Sequence, residues 1–144
     1  CPSARVTSIE RPTQETAAVV GPAQSRLAQW PVQLHLIPPT APFLRGADVL
    51  LAADCAPFAF ADFHEKLLKG KALLIACPKL DDTAPYLDKL TAMIQQSQIH
   101  SLTVVHMEVP CCSGLLHLAR QAIARSGRDI PLKTVCIGIR GDLK

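Results

Sequence analysis

Three short runs in this chain are almost continuously apolar: ADVLLAA at 47–53, KALLIA at 71–76 and SLTVVHMEV at 101–109. A strand with one wet face alternates apolar and polar residues, whereas a strand covered on both faces reads as an unbroken apolar block. Between and after these blocks lie segments of a different period. FAFADFHEKLLK at 58–69 carries Phe60, Phe63 and Leu67 at helical spacing and is followed by Gly70, which marks a helix end. Residues 85–96 place Tyr86, Leu87, Leu90 and Ile94 on one face, with Asp82 or Thr83 available as a cap. LLHLARQAIARS, opened by Ser113 or Gly114 and closed by Gly127, does the same with Leu115, Leu118, Ala119 and Ala122. PVQLHLI, stopped by Pro38 and Pro39, reads as a first strand and LKTVCIGI as a last one.

Strands that alternate with helices imply right-handed βαβ crossovers. The expected fold is therefore α/β: a three-layer sandwich of the Rossmann-like or flavodoxin-like kind, with a mainly parallel sheet of about five strands. With 144 residues, 49% of them hydrophobic, one domain with a sizeable core is expected. Residues 29–144 form that domain. Residues 1–28, rich in Pro, Ser, Thr and Gln without a sustained period, read as a linker or tail that wraps the surface or is mobile. The first residue is Cys1, which suggests a fragment or a processed product.

Charge and motifs narrow the function. The formal net charge is only +3 with 19% charged residues, and no Lys/Arg run is interleaved with aromatics, so nucleic-acid binding is not expected. No uninterrupted apolar stretch approaches the ~18 residues of a membrane span, and no secretory layout opens the chain; a cytoplasmic protein is expected. Glycine-rich dinucleotide loops, Walker loops and Gly-x-Ser-x-Gly elbows are all absent from the sequence. The six cysteines sit in a chain too large to need a disulfide framework, so they are read as thiols.

Those cysteines fall at strand ends. ADVLLAADC closes at Cys55, KALLIAC at Cys77, and SLTVVHMEVPCC at Cys111 and Cys112. In an open parallel sheet the strands' carboxyl ends share one edge, where ligands bind. Thiolates gathered there are soft ligands and nucleophiles. Cys112, just before a helix N-terminus, is expected to face the site with its thiolate favoured by the helix dipole, and Cys111 to be secondary. A fourth ligand could come from His106, His64, Glu108, Asp54 or an external group. Cys136, inside the last strand, is read as core. His35 reads as a half-buried histidine, His100 and His117 as surface residues, and Lys79, Asp81 and Asp82 as a solvated loop or a charge near the site.

The stretches WPVQLHLIPPTAPFLRGADVLLAADCAPFAFADFH, CPKLDD and HMEVPCCSGL resemble the C-terminal domain of a prokaryotic family of small 4Fe-4S ferredoxin-type proteins, over residues 28 to 144. A weaker likeness is to the small iron–sulfur subunit of methyl-viologen-reducing hydrogenases. The first resemblance implies an N-terminal module with two cysteine-rich cluster motifs. This sequence has no C-x-x-C-x-x-C run, and Cys1-Pro2 matches the linker, so cluster binding by those motifs does not carry over to residues of this chain. What carries over is the layout of Cys55, Cys77, Cys111 and Cys112. The expected function is a redox or electron-transfer domain that binds an iron–sulfur cluster, or another metal such as zinc, and meets a redox partner protein or the ferredoxin module. The alternatives are a thiol-dependent enzyme built on Cys112 and a protein-docking module without chemistry of its own.

Overall fold

The computed structural model describes residues 21–144. Four parallel strands, β1 (Asp48–Ala53), β2 (Ala72–Ala76), β3 (Ser101–Met107) and β4 (Leu132–Ile137), form one sheet in the order β2-β1-β3-β4. The apolar blocks are β1 and β3 at its centre and β2 at one edge: Val49, Leu50, Leu51, Leu74, Val104 and Val105 are fully buried. From β1 the chain steps outward to β2, then crosses back over β1 to β3 and on to β4. Right-handed crossovers therefore send the 56–68 connection to one face of the sheet. They send α2 (Tyr86–Gln96) and α3 (Ser113–Ser126), which pack on each other, to the opposite face. The three-layer α/β architecture follows.

Among the described residues the sheet has four strands, not five. PVQLHLI pairs with β2 at a single bridge, where Ile75 N–H donates to Val32 O (2.8 Å) and Leu34 N–H donates to Ile75 O (3.0 Å). The chain then turns, with Leu36 N–H donating to Gln33 O at 2.9 Å. Prolines at 31, 38 and 39 remove backbone donors on both sides. The apolar residues that suggested a strand are instead two core anchors, Leu34 and Ile37, both fully buried.

The expected helix over 58–69 is broken in two. A single turn, α1 (Ala56–Ala59), stops where Phe60 becomes extended, and a π-helical segment, Phe63–Leu68, follows and ends before Gly70 with φ of 75°. The break still buries Phe60, Phe63, Leu67 and Leu68. α2 starts without a side-chain cap, behind Pro85; Asp82 instead accepts Ala84 N–H within the loop at 3.2 Å. α3 begins at Ser113 after a 3-10 turn, Pro110–Cys112, and ends at Gly127 in the left-handed region.

Of the expected linker, residues 21–28 lie within the described part; 21–25 are exposed, and Arg26 and Leu27 hold the segment to the domain. Arg26 pairs with Glu65, and its N–H donates to His64 Nδ1 at 3.0 Å. Just beyond, Gln29 uses its side-chain amide like a strand residue, donating to Leu73 O at 2.8 Å and accepting Leu73 N–H at 3.3 Å. The part of the linker at 1–20 lies outside the described residues. Among the described residues no helix is long and apolar enough to cross a membrane.

Candidate functional site

Strand order decides whether the cysteines can meet, and it places their three strands side by side. Ala53 of β1 is in register with Ala76 of β2, so Cys55 and Cys77, two and one residues further on, leave the sheet at one level. Val105 of β3 pairs with Ala52 on the other flank of β1, and the chain beyond it reaches Cys111 and Cys112 through the 3-10 turn. Connections leave β1 towards β2 and return past it to β3, so the carboxyl ends of β1 and β3 frame the topological switch point, where open α/β sheets bind ligands. Cys55 stands at that point.

The sulfurs sense one another. Cys55 is exposed, yet its thiol is pushed above the ordinary range, chiefly by desolvation and then by the charges of Cys77, Asp54 and Cys111. Cys112 is buried and is pushed up to about 11, again mainly by burial, with a backbone hydrogen bond from Met107 pulling the other way and Cys111 and Cys55 adding to the rise. The helix N-terminus expected to favour a Cys112 thiolate is thus outweighed by desolvation. Cys111 interacts electrostatically with both Cys112 and Cys55.

The loop after β2 is held rigidly. Asp81 Oδ2 accepts Cys77 N–H at 2.9 Å and Tyr86 O–H at 2.6 Å. Asp81 and Leu80 in turn donate their backbone N–H groups to Cys77 O, at 2.9 and 3.2 Å. Tyr86 is 1% exposed, and its hydroxyl is held well above the usual phenol range by burial and by the bond to Asp81. On the α3 side, a Cβ at Gly114 would lie 3.2 Å from Pro78 Cβ, so glycine lets the Cys77 loop and the helix that follows Cys112 approach closely. Asp81 was read from sequence only as a loop charge. The signal that could have found it is an acceptor four residues after a strand-end cysteine, followed by a tyrosine at the start of a helix.

Of the further ligands considered, Asp54 lies at the site. Its Oδ1 is buried without a hydrogen-bond partner, and desolvation, then Asp81, raises its pKa. His106 lies within β3, in register with Cys136, its Nδ1 3.0 Å from Met107 O. His64 and Glu108 are engaged elsewhere: His64 with Arg26, and Glu108 with Lys144 and the N–H of Ile139. Cys136, expected in the core, is only half-buried, on the β4 edge strand. His35 is exposed rather than half-buried, its ring edge-on to Tyr86 with centroids 6.1 Å apart. A groove of about 440 Å³ between α2 and α3 borders the site through Pro78, Tyr86 and Gly114, and none of the four cysteines lines it.

Four thiols from three strand ends form a soft donor set suited to zinc or an iron–sulfur cluster. Among the described residues, no group of three or more His, Cys, Asp or Glu side chains is arranged as a ready metal site. A single tetrahedral ion needs every sulfur about 2.3 Å from one point. A cluster distributes its thiolates over separate irons, and four cysteines are the donor number such a cluster takes.

The Rossmann-like domain family matches residues 41–144, which contain β1 to β4 and all four of these cysteines. The chain belongs to that family. It is also similar to an Archaeoglobus fulgidus protein described as uncharacterized, with 32% identity over 113 residues that cover 78% of this chain and 79% of that protein. No solved structure matches. This Rossmann-like domain departs from dinucleotide binders at its first βα turn, where Asp54-Cys55-Ala56-Pro57 occupies the place of a glycine-rich loop.

Proposed function

We propose that this Rossmann-like domain is an electron-transfer domain that binds an iron–sulfur cluster through Cys55, Cys77, Cys111 and Cys112. One observation carries the reading: thiols from three neighbouring strand ends, far apart in sequence, converge at the switch point closely enough to perturb one another. When bound, such a cluster supplies a one-electron couple, accepting an electron from a reduced carrier protein and releasing it to an oxidised one. The chain's own part is to hold and shield. Cys112, 5% exposed, anchors the buried side, and the Met107 backbone hydrogen bond helps to stabilise its thiolate once the proton leaves. Cys55, the exposed member, is the side a redox partner protein or a ferredoxin module would approach. The CPKLDD and HMEVPCCSGL stretches resemble the C-terminal domain of ferredoxin-type proteins, which makes a ferredoxin module a natural redox partner. A thiol enzyme built on Cys112 is less well supported, because burial holds that thiol protonated near neutral pH.

The test is iron and sulfide analysis with a visible spectrum on protein purified without oxygen, alongside Cys55→Ser, Cys112→Ser and Cys136→Ser. Stoichiometric iron and sulfide, lost in the first two variants and kept in the third, is the expected result. Wild-type protein that stays free of iron after anaerobic reconstitution overturns the proposal.

A further inference from the structure

Cys77 is the one cysteine of the four whose two backbone groups are both tied to a single residue. Its N–H donates to Asp81 Oδ2 at 2.9 Å, and its carbonyl accepts Asp81 N–H at 2.9 Å. The same Oδ2 accepts the Tyr86 hydroxyl at 2.6 Å, and Tyr86 is fixed in the core at the first turn of α2. The clamp therefore runs from Cys77 through Asp81 into the α2 layer. Cys55 has nothing comparable: its carbonyl accepts Ala59 N–H at 3.1 Å, within the single turn of α1.

This arrangement has two consequences. The Cys77 sulfur is pre-positioned relative to the sheet, the task that residues bonded behind a ligand perform at metal sites. The Cys77 N–H is also committed to a carboxylate and is withheld from the sulfur, while a negative charge stands beside the site. Fewer N–H···S bonds and added negative charge both favour the oxidised state of a thiolate-bound cluster.

We infer that Asp81 is a positioning residue for Cys77 that also holds the reduction potential of the site low. The inference rests on the cluster-binding reading, and the experiment separates the two. Full-length wild type, Asp81→Asn and Asp81→Ala are compared in two states. After anaerobic loading with iron and sulfide, Asp81→Asn keeps an acceptor for Cys77 N–H and Tyr86 O–H but loses the charge. It is expected to retain its cluster at a midpoint potential more positive than wild type. Asp81→Ala loses the clamp and is expected to release iron to a chelator about 10- to 100-fold more readily. In the metal-free state, iodoacetamide labelling resolved by peptide mass spectrometry is expected to show Cys77 reacting at least about tenfold faster in Asp81→Ala, with the Cys55 rate unchanged. If Asp81→Ala does not fold, Asp81→Asn carries the test through its potential, which a purely structural role would not move. Loaded wild type and Asp81→Asn with equal potentials overturn the inference and leave the cluster reading intact. A wild type that takes up no iron overturns the cluster reading, and the metal-free labelling then decides Asp81's hold on Cys77: unequal Cys77 rates support it and equal rates overturn it.

Discussion

Substituting Gly114 by alanine separates helix propensity from loop approach at the site. The new Cβ would stand 3.2 Å from Pro78 Cβ and 3.6 Å from Pro78 Cγ, whereas carbon pairs relax at about 3.5–4.0 Å. Pro78 cannot swing a side chain aside, because its ring is part of the backbone. The carbonyl just before it, that of Cys77, is held by the N–H groups of Leu80 and Asp81. A yield of about 0.3 Å must therefore come as a displacement of the Cys77 loop from the helix that follows Cys112. In the opposite sense, alanine gains at most about 0.8–1.0 kcal/mol over glycine in a helix interior, and less in the first turn, where residue 114 lies. Overpacking costs about 1–3 kcal/mol, so the expected net effect is a loss of about 0.5–1.5 kcal/mol. Gly114→Val, with two further methyl groups, should lose about 2–3 kcal/mol. Urea unfolding measures both, with an unchanged slope confirming that the denatured state is not the cause. A Gly114→Ala protein that is more stable than wild type and loads iron equally well would refute the reasoning, since the contact with Pro78 would then have slack.

Other consequences follow from single interactions. Arg128 donates from one guanidinium nitrogen to Ile94 O (2.8 Å) and Ile99 O (3.1 Å), closing the carboxyl end of α2 and the loop behind it. Arg128→Met should cost about 1.5–3 kcal/mol in thermal unfolding, and a loss under about 0.5 kcal/mol would show that water replaces the guanidinium. In metal-free protein, raised thiol pKa values mean less thiolate at any given pH. Alkylation of Cys55 and Cys112 should thus keep rising with pH beyond 9, with exposed Cys55 ahead of buried Cys112; a plateau for Cys112 below pH 9 in a rate–pH profile would contradict the burial argument.

The strands and the cysteines were legible because both are local signals. A doubly covered strand needs an apolar block, and a strand-end cysteine is visible without knowing the strand order. Non-local facts were not legible. PVQLHLI has the composition of a strand, but its pairing depended on whether β2 offered an edge and on how much donor capacity the flanking prolines left, and only Val32 and Leu34 bond to Ile75. Phe60, Phe63 and Leu67 are buried as the periodicity implied. The periodicity did not signal the break at Phe60 or the π-helical winding of Phe63–Leu68. Asp81 was invisible as a clamp because its partners meet only when the loop folds back onto α2. The convergence of Cys55, Cys77, Cys111 and Cys112 required β1 to lie between β2 and β3, which sequence pattern alone does not order.

That placement bears on what the switch point can bind. A nucleotide-binding turn offers free backbone N–H groups to a pyrophosphate, and glycine lets the phosphate approach closely. Here the turn carries Cys55 in right-handed helical conformation, α1 is only four residues long, and Pro57 lies in its first turn, so one of the few available donors is missing. Two carboxylates, Asp54 and Asp81, lie close enough to interact and would repel an anion. The crevice thus presents thiols and carboxylates where a dinucleotide site presents backbone donors. Isothermal titration of the metal-free protein with NADH and with ATP should accordingly detect no binding at millimolar ligand. A micromolar dissociation constant for either, abolished by a bulky substitution at Ala56, would place a nucleotide at the switch point and displace the cysteines as its ligands.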